Sequence, residues 1–290
     1  MRAGCQPDDR NISTDIVNPI FAEVLRGIED EIGSSGTATI VQSVAEHLPP
    51  EKHPLRLLEL HQVDGVIAFT SHIPEPDLIA IHERFKLPLV VINLRVNHPR
   101  IPSIVVDFEN AAYRSAQHLL KLNHTRIAYL AGLPTSQTSR QRRTGIERAL
   151  GEVDVSLPSS RVVDCFPSIE GGFQAMSTLL QLAADDRPTG VIAYNDLLAL
   201  GALHAIRVHG LNVPEQISVV GFDNIALAAH ANPPLTTIDQ PKYRMGRLAM
   251  QLLNNLIGGN AVMGRGYTLL ECPLIIREST APYTGADRRA

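Results

Sequence analysis

The apolar residues of this chain fall into short continuous runs, separated by stretches in which they recur every three or four positions. Residues 190–194 form one such run, and its unbroken apolar character is typical of a strand buried on both faces. Asn195-Asp196 ends the run, and residues 199–206 carry an apolar stripe at helical spacing. A second apolar run follows at 217–222. This stretch therefore predicts a β-α-β unit with two parallel strands.

Both strands of this unit end at polar residues, which are Asn195 and Asp196 after the first strand and Asp223 after the second. Ligands of open α/β sheets bind at the carboxyl ends of the strands, so all three residues are candidate ligand contacts. Each residue has a structural alternative: Asn195 or Asp196 can cap the helix, and Asp223 can cap the next turn. We expect Asp196 to be the helix cap, and Asn195 and Asp223 to face a ligand.

The same alternation of strand and helix patterns extends along the whole chain. Helical patterns lie at residues 18–32, 52–60, 77–85, 109–122, 142–150, 169–183 and 245–256. Strand patterns lie at 38–44, 65–69, 89–92, 103–106, 126–130, 161–165 and 267–276, with a weak one at 11–14. Two successive βα halves predict an α/β protein with two doubly wound, mainly parallel-sheet subdomains.

The charge and the cysteine content limit the possible partners and compartments. The net charge of −4 lacks the basic excess of an autonomous nucleic-acid binder. Cys5, Cys165 and Cys272 are far apart, which argues against a disulfide framework and a zinc site and favours a reducing compartment. There is no apolar run long enough to span a membrane, and no apolar region precedes Cys5 as in an export signal. We therefore expect a cytoplasmic protein without a membrane partner.

Many short motifs, in the same order along the chain, resemble the effector-binding core of the lactose/galactose repressor (LacI/GalR) family of bacterial transcription regulators. Two of the clearest are Tyr194-Asn195-Asp196 and Arg277-Glu278-Ser279-Thr280. The resemblance covers roughly residues 11 to 280. The matching segments are 15–29, 63–67, 118–120, 124–128, 142–145, 194–196, 200–202, 213–223, 233–237 and 277–280.

The resemblance implies a periplasmic-binding-protein-like fold, a homodimer, and a small-molecule effector in the cleft between two subdomains. Three strands would cross between the subdomains, near 107, 238–240 and 269–271. We expect residues 11–106 and 241–268 to form the N-subdomain, and residues 107–240 and 269–280 to form the C-subdomain. We expect the tails, 1–10 and 281–290, to be disordered.

The resemblance also suggests ligand-binding residues. The family places an effector-binding arginine three residues before the glycine at 145, which is Arg142 here; the alternative is a surface arginine. The remaining candidates lie at strand ends, at the first helix or at a crossing strand. They are Asp15, Phe21, Ser71, His72 and Gln240. Phe21 could instead belong to the core, and His72 could be a solvated loop residue. No catalytic residue, metal site or cofactor is predicted.

Three functions are considered for a chain with these sequence features. The first is the effector-binding and dimerisation core of a transcription regulator, whose ligand is a sugar or nucleoside-like molecule. Family members read operator DNA with an N-terminal helix-turn-helix, and we find no such motif here, so we expect DNA contact only through a head that this sequence does not contain. The second is a free-standing solute-binding protein of the same fold. The third, an enzyme, is disfavoured because the chain has no dinucleotide, Walker, nucleophile-elbow or metal-ligand motif.

Overall fold

The computed structural model describes residues 18–33, 38–41, 63–70, 73–260 and 266–285. The strand predicted at 11–14 and the helix predicted at 52–60 lie outside these residues. Of the strand predicted at 38–44, only 38–41 is described, and these four residues do not form a strand.

The strands of the described chain form two separate sheets. The strands are β1 Val66–Phe69, β2 Leu89–Ile92, β3 Ser103–Val106, β4 Ile127–Ala131, β5 Val162–Asp164, β6 Gly190–Ala193, β7 Ser218–Asp223, β8 Thr236–Asp239, β9 Tyr267–Leu270 and β10 Leu274–Ile275. Sheet one has four parallel strands in the order β1-β2-β3-β9. Sheet two has six strands in the order β10-β8-β7-β6-β4-β5, of which only β10 runs antiparallel to its neighbour.

Helices cover the sheets and pack against each other in pairs. The helices are α1 Ile20–Ile32, α2 Glu75–Phe85, α3 Phe108–Lys121, α4 Gln137–Gly151, α5 Ile169–Leu180, α6 Asp196–Val208, α7 Ala226–Ala229 and α8 Lys242–Ile257. The pairs are α1 with α8, α3 with α4, and α5 with α6. A Cβ atom on Gly145 would lie 2.0 Å from the carbonyl oxygen of Glu109, so the close approach of α3 and α4 requires glycine there.

The described chain passes between the two sheets three times. It leaves sheet one after Val106, returns after Asp239, and leaves again after Leu270 to add β10 to sheet two. Two mainly parallel sheets with three crossings confirm the predicted α/β fold class. The residue limits given above for the two subdomains stay a prediction.

Three further local predictions differ from the structure. The single strand predicted at 267–276 is two strands in different sheets, because the chain crosses between them at Glu271 to Pro273. Helix α4 begins at Gln137, five residues before the predicted start, because the Ser136 hydroxyl accepts the amide of Ser139 and caps it.

The C-terminal segment is the third difference. Residues 281–285, which we expected in a disordered tail, contact sheet two and its helices. The Tyr283 amide donates to the carbonyl oxygen of Leu122, and the Tyr283 ring lies 5.8 Å from the ring of His124. The contacts of Tyr283 therefore hold this segment in place, although its polar composition is typical of a disordered tail.

Candidate functional site

A buried polar cluster lies where β7 ends, at the edge of sheet two that the chain crosses to reach sheet one. Its centre is the carboxylate of Asp223, which is 2% exposed. The side-chain amide of Gln240 donates to Oδ1 of Asp223 at 2.6 Å, and that of Asn18 donates to Oδ2 at 3.2 Å. Nη2 of Arg142 lies 4.0 Å from Oδ1. The cluster therefore joins residues from four distant parts of the sequence around one carboxylate.

The backbone at this point is held in an uncommon conformation. Asp223 has a φ angle of 115° and Asn224 one of 52°, both of which are costly for residues with a side chain. The buried ammonium of Lys242 donates to the carbonyl oxygens of both residues, at 2.7 and 3.0 Å. Lys242 therefore stabilises the turn that points the Asp223 carboxylate into the cluster.

The guanidinium of Arg142 is packed among aromatic rings. Its central carbon lies 3.7 Å from the ring centre of Phe222, 4.2 Å from that of Tyr194 and 4.9 Å from that of Phe108. One terminal nitrogen donates to the carbonyl oxygen of Tyr194. The side chain is thus desolvated and fixed in plane, which strengthens its cation–π and hydrogen-bond interactions. The alternative of a surface arginine is wrong, since Arg142 is 3% exposed.

The roles of Asn195 and Asp196 are the reverse of what the sequence suggested for the helix cap. Oδ1 of Asn195 accepts the Leu198 amide at 2.9 Å, so Asn195 caps α6. Asp196 turns inward, accepting the Thr237 hydroxyl at 2.6 Å and the Ile225 amide at 2.8 Å. A Cβ on Gly221 would come within 2.2 Å of Oδ1 of Asp196. Both residue types can cap a helix. Asp196 is engaged by Thr237 of β8 and by the Ile225 amide after β7, and Asn195 is the cap.

Burial dominates the electrostatics of the two aspartates. It raises the pKa of Asp196, and the negative charge of Asp223 raises it further. Burial also raises the pKa of Asp223, while Arg142 and the amides of Asn18 and Gln240 oppose that rise. Each carboxylate accepts two hydrogen bonds, but only Asp223 also has Arg142 as a cationic neighbour, so Asp223 is the better site for the negative charge of the pair.

Of the remaining predicted site residues, the structure describes Gln240 and Phe21. Gln240 lies in the cluster, as described above. The Phe21 ring lies 6.2 Å from the Phe69 ring in an edge-to-face arrangement, which joins α1 to the end of β1. Asp15, Ser71 and His72 lie outside the described residues, so their positions stay predictions.

Three polar residues beside this cluster or at another strand end were not predicted from the sequence. Asn18 precedes α1, and its Oδ1 accepts the Ile20 amide at 3.1 Å. Lys242 begins α8, three residues before the predicted helical pattern, and a lysine two residues after Gln240 was a visible signal. Asn93 follows β2 with a φ angle of 72°, and its side-chain oxygen is buried without a partner in the described chain. A polar residue directly after a strand could have identified it.

Comparison with known proteins identifies the class. The family described as periplasmic binding protein-like domain matches residues 116–280. "HTH-type transcriptional repressor PurR" of Aliivibrio fischeri strain MJ11 is 34% identical over 83% of this chain and 71% of its own length. "HTH-type transcriptional repressor CytR" of Escherichia coli K12 is 35% identical over 93% of this chain and 78% of its own length.

Solved structures agree with these relatives. A LacI family transcriptional regulator from Enterococcus faecium, solved with bound ribose, is 28% identical and superposes with a TM-score of 0.80, covering 93% of this chain and 97% of that one. This chain belongs to the LacI/GalR family, of which it contains the periplasmic-binding-protein-like effector-binding core. None of the helices in the described ranges is long and apolar enough to cross a lipid bilayer.

Proposed function

We propose that this chain is the small-molecule effector-binding and dimerisation core of a bacterial transcription regulator. A sugar or nucleoside-like ligand binds between the two sheets, around Arg142, Asp223 and Gln240. Its binding changes the relation of the two lobes, and so controls operator DNA binding by a helix-turn-helix head. In this proposal the protein acts in the cytoplasm and catalyses no reaction.

The observation that carries the proposal is unmet hydrogen-bonding capacity next to Asp223. Seven buried side-chain nitrogen or oxygen atoms in the described chain lack a partner, and two of them are Nε of Arg142 and Oε1 of Gln240. Both belong to residues that contact the Asp223 carboxylate. Buried polar atoms are normally paired, and a ligand hydroxyl can donate to Oε1 of Gln240 or accept from Nε of Arg142.

The charge balance of the cluster favours a neutral ligand. Asp223 already has Arg142 as a cationic neighbour, and the ammonium of Lys242 is used by two backbone carbonyls. An anionic ligand would meet the Asp223 carboxylate without a free cation among the described residues of the cluster. Hydroxyl-rich neutral molecules avoid that cost while satisfying the unpaired atoms. The bound ribose of the Enterococcus faecium relative is a molecule of this kind.

Dimerisation is supported by exposed apolar side chains beside helix α6. Ile169, at the start of α5, is 39% exposed, and its carbonyl oxygen packs against Gly201 of α6. Leu227 of α7 is 51% exposed, and α7 is joined to α6 by the bond from the Ile225 amide to Asp196. A contiguous patch of exposed apolar side chains is typical of an interface, and Ile169 and Leu227 are the candidate members of such a patch. We therefore propose a homodimer that buries this surface.

A thermal-shift screen tests the ligand site. The probes are D-ribose, cellobiose and the common nucleosides, with wild type, Arg142→Ala and Arg143→Ala compared. Arg143 is the matched control, because it lies on the same helix in an exposed ion pair with Glu147. A ligand at 100 times its Kd stabilises the folded state by about 2.7 kcal/mol. We expect a clear rise in Tm for wild type and Arg143→Ala, and none for Arg142→Ala.

Two results would contradict the proposal. One is that no neutral sugar or nucleoside raises the Tm of the wild type. The other is that Arg142→Ala, shown to be folded by circular dichroism, binds as tightly as the wild type. The dimer is checked separately by analytical ultracentrifugation of the wild type and of Leu227→Glu, which should shift toward monomer.

A further inference from the structure

One side-chain hydrogen bond in the cluster joins elements that belong to different sheets. Asn18 precedes α1, which packs against α8 on the side of sheet one, and Asp223 ends β7 of sheet two. The two residues are 205 positions apart in the sequence, and Nδ2 of Asn18 donates to Oδ2 of Asp223 at 3.2 Å. This bond therefore spans the space between the lobes at the ligand edge.

The two oxygens of the Asp223 carboxylate are held differently. Oδ1 accepts the short bond from Gln240, at 2.6 Å, and lies 4.0 Å from Arg142. Oδ2 accepts only the longer bond from Asn18 among the hydrogen bonds of the described chain. Oδ2 is consequently the oxygen whose donor is most easily exchanged, because shorter charge-assisted bonds are the stronger ones.

The donors also differ in how firmly they are held. Gln240 and Lys242 are buried, whereas Asn18 is half-buried at the start of a helix. Lys242 also donates across this space, but its acceptors are the backbone carbonyl oxygens of Asp223 and Asn224, so it does not occupy Oδ2. Movement of Asn18 away from Asp223 would thus release Oδ2 without dismantling the rest of the cluster.

We propose that Asn18 is an internal competitor of the effector: its amide occupies the Asp223 oxygen that a ligand hydroxyl takes, and ligand binding exchanges one donor for the other. This inference rests on the proposed effector site and adds a regulatory element to it. In the absence of ligand the Asn18–Asp223 bond holds the lobes together. A ligand that lacks a hydrogen-bond donor cannot replace it at Oδ2, so the bond also selects for hydroxyl-bearing ligands.

The first part of the test needs no ligand. Asn18→Ser keeps a side-chain oxygen that can accept the Ile20 amide, as Oδ1 of Asn18 does, but is too short to keep the amide contact with Asp223. Asn18→Asp also keeps that accepting oxygen and places a second carboxylate opposite Asp223. By small-angle X-ray scattering we expect a radius of gyration larger than that of the wild type for Asn18→Asp, with a smaller increase for Asn18→Ser. Unchanged values in both folded variants would overturn the lobe-holding role.

The second part measures affinity for whichever of D-ribose, cellobiose or the nucleosides stabilises the wild type. Removal of an internal competitor raises apparent affinity, so Asn18→Ser should bind about threefold to tenfold more tightly by calorimetry. A loss of affinity comparable to that of Arg142→Ala would overturn the proposal and make Asn18 an ordinary ligand contact. If no probe binds the wild type, the proposed effector site fails, while the scattering result still decides whether Asn18 holds the lobes.

Discussion

Two largely buried polar clusters beside sheet two use similar residues with different results. The ligand-edge cluster consists of Asn18, Arg142, Asp196, Asp223 and Gln240. The C-terminal clasp consists of His118, His124, Thr236, Ser279 and Thr280. In the clasp, Ser279 accepts the Thr236 amide at 2.8 Å and donates to the Val219 carbonyl oxygen at 2.6 Å.

The clasp is completed by bonds from its other members. The Thr236 and Thr280 hydroxyls are 3.1 Å apart, and a ring nitrogen of His118 is 3.0 Å from the Thr280 hydroxyl. None of its five members has a buried side-chain atom without a partner in the described chain, whereas two of the five members of the ligand-edge cluster do. A saturated polar cluster stabilises a fold, while an unsaturated one keeps bonding capacity for something else.

The largest expected effect is on the clasp. Ser279→Ala removes one hydroxyl and leaves the Thr236 amide and the Val219 carbonyl buried with fewer partners. Each unmet buried group costs about 1–3 kcal/mol, so we expect a loss of about 3 kcal/mol in the free energy of unfolding, measured by urea denaturation. Ser177→Ala is the control, because the Ser177 hydroxyl is buried without a partner in the described chain. Equal effects in the two variants would contradict the comparison.

The next prediction concerns the pH dependence of the ligand-edge cluster. Because the pKa of Asp196 is raised in the folded state, the folded protein holds this proton more tightly than the unfolded chain does. Its contribution to stability is therefore present at low pH and is lost as the pH rises above about 4. Asp196→Asn keeps the shape of the side chain and removes its titrating group. The free energy of unfolding of this variant, measured by urea denaturation, should therefore decline less between pH 4 and pH 8. A slope identical to that of the wild type would show that Asp196 is ionised throughout.

The smallest expected effect concerns the clasp, where stability is lost as the pH falls instead of as it rises. Burial lowers the pKa of His124, whose ring nitrogens contact the Thr189 hydroxyl and the Ala281 carbonyl oxygen. The unfolded chain then binds the proton more tightly, so stability is lost as the pH falls below about 6.5. His124→Gln should reduce that acid loss, as measured by thermal unfolding at pH 5 and pH 7.5. If the variant loses as much stability on acidification as the wild type, another group is responsible, with His118 the first to be tested.

Much of the fold could be predicted because it depends on local patterns. The apolar runs at β2, β3, β4, β6 and β7 are strands, as expected, and the helical stripes around them are helices. The errors lie where the same residues suit two structures. The run at 267–276 is apolar enough for one long strand, and only the change of sheet at 271–273 divides it. The reversal of Asn195 and Asp196 has the same origin, since both are good capping residues.

For the candidate site, the sequence by itself determined the residues that end each strand. Asp223 ends β7 and Asn195 follows β6, whereas Arg142 lies within α4 and was suggested by the family resemblance. Strand ends are set by local sequence, and parallel strands bring those ends to one edge, so Asp223 and Asn195 follow from order along the chain alone.

Only the tertiary structure decided which atoms of these residues are occupied. Asn18 reaches Asp223 across 205 positions, Arg142 lies among three aromatic rings, and Lys242 holds the turn after β7. Such contacts depend on distances between elements that no local pattern encodes. The physical reason is that hydrogen bonds and desolvation act over a few ångströms, and that proximity exists only once the two sheets have packed together.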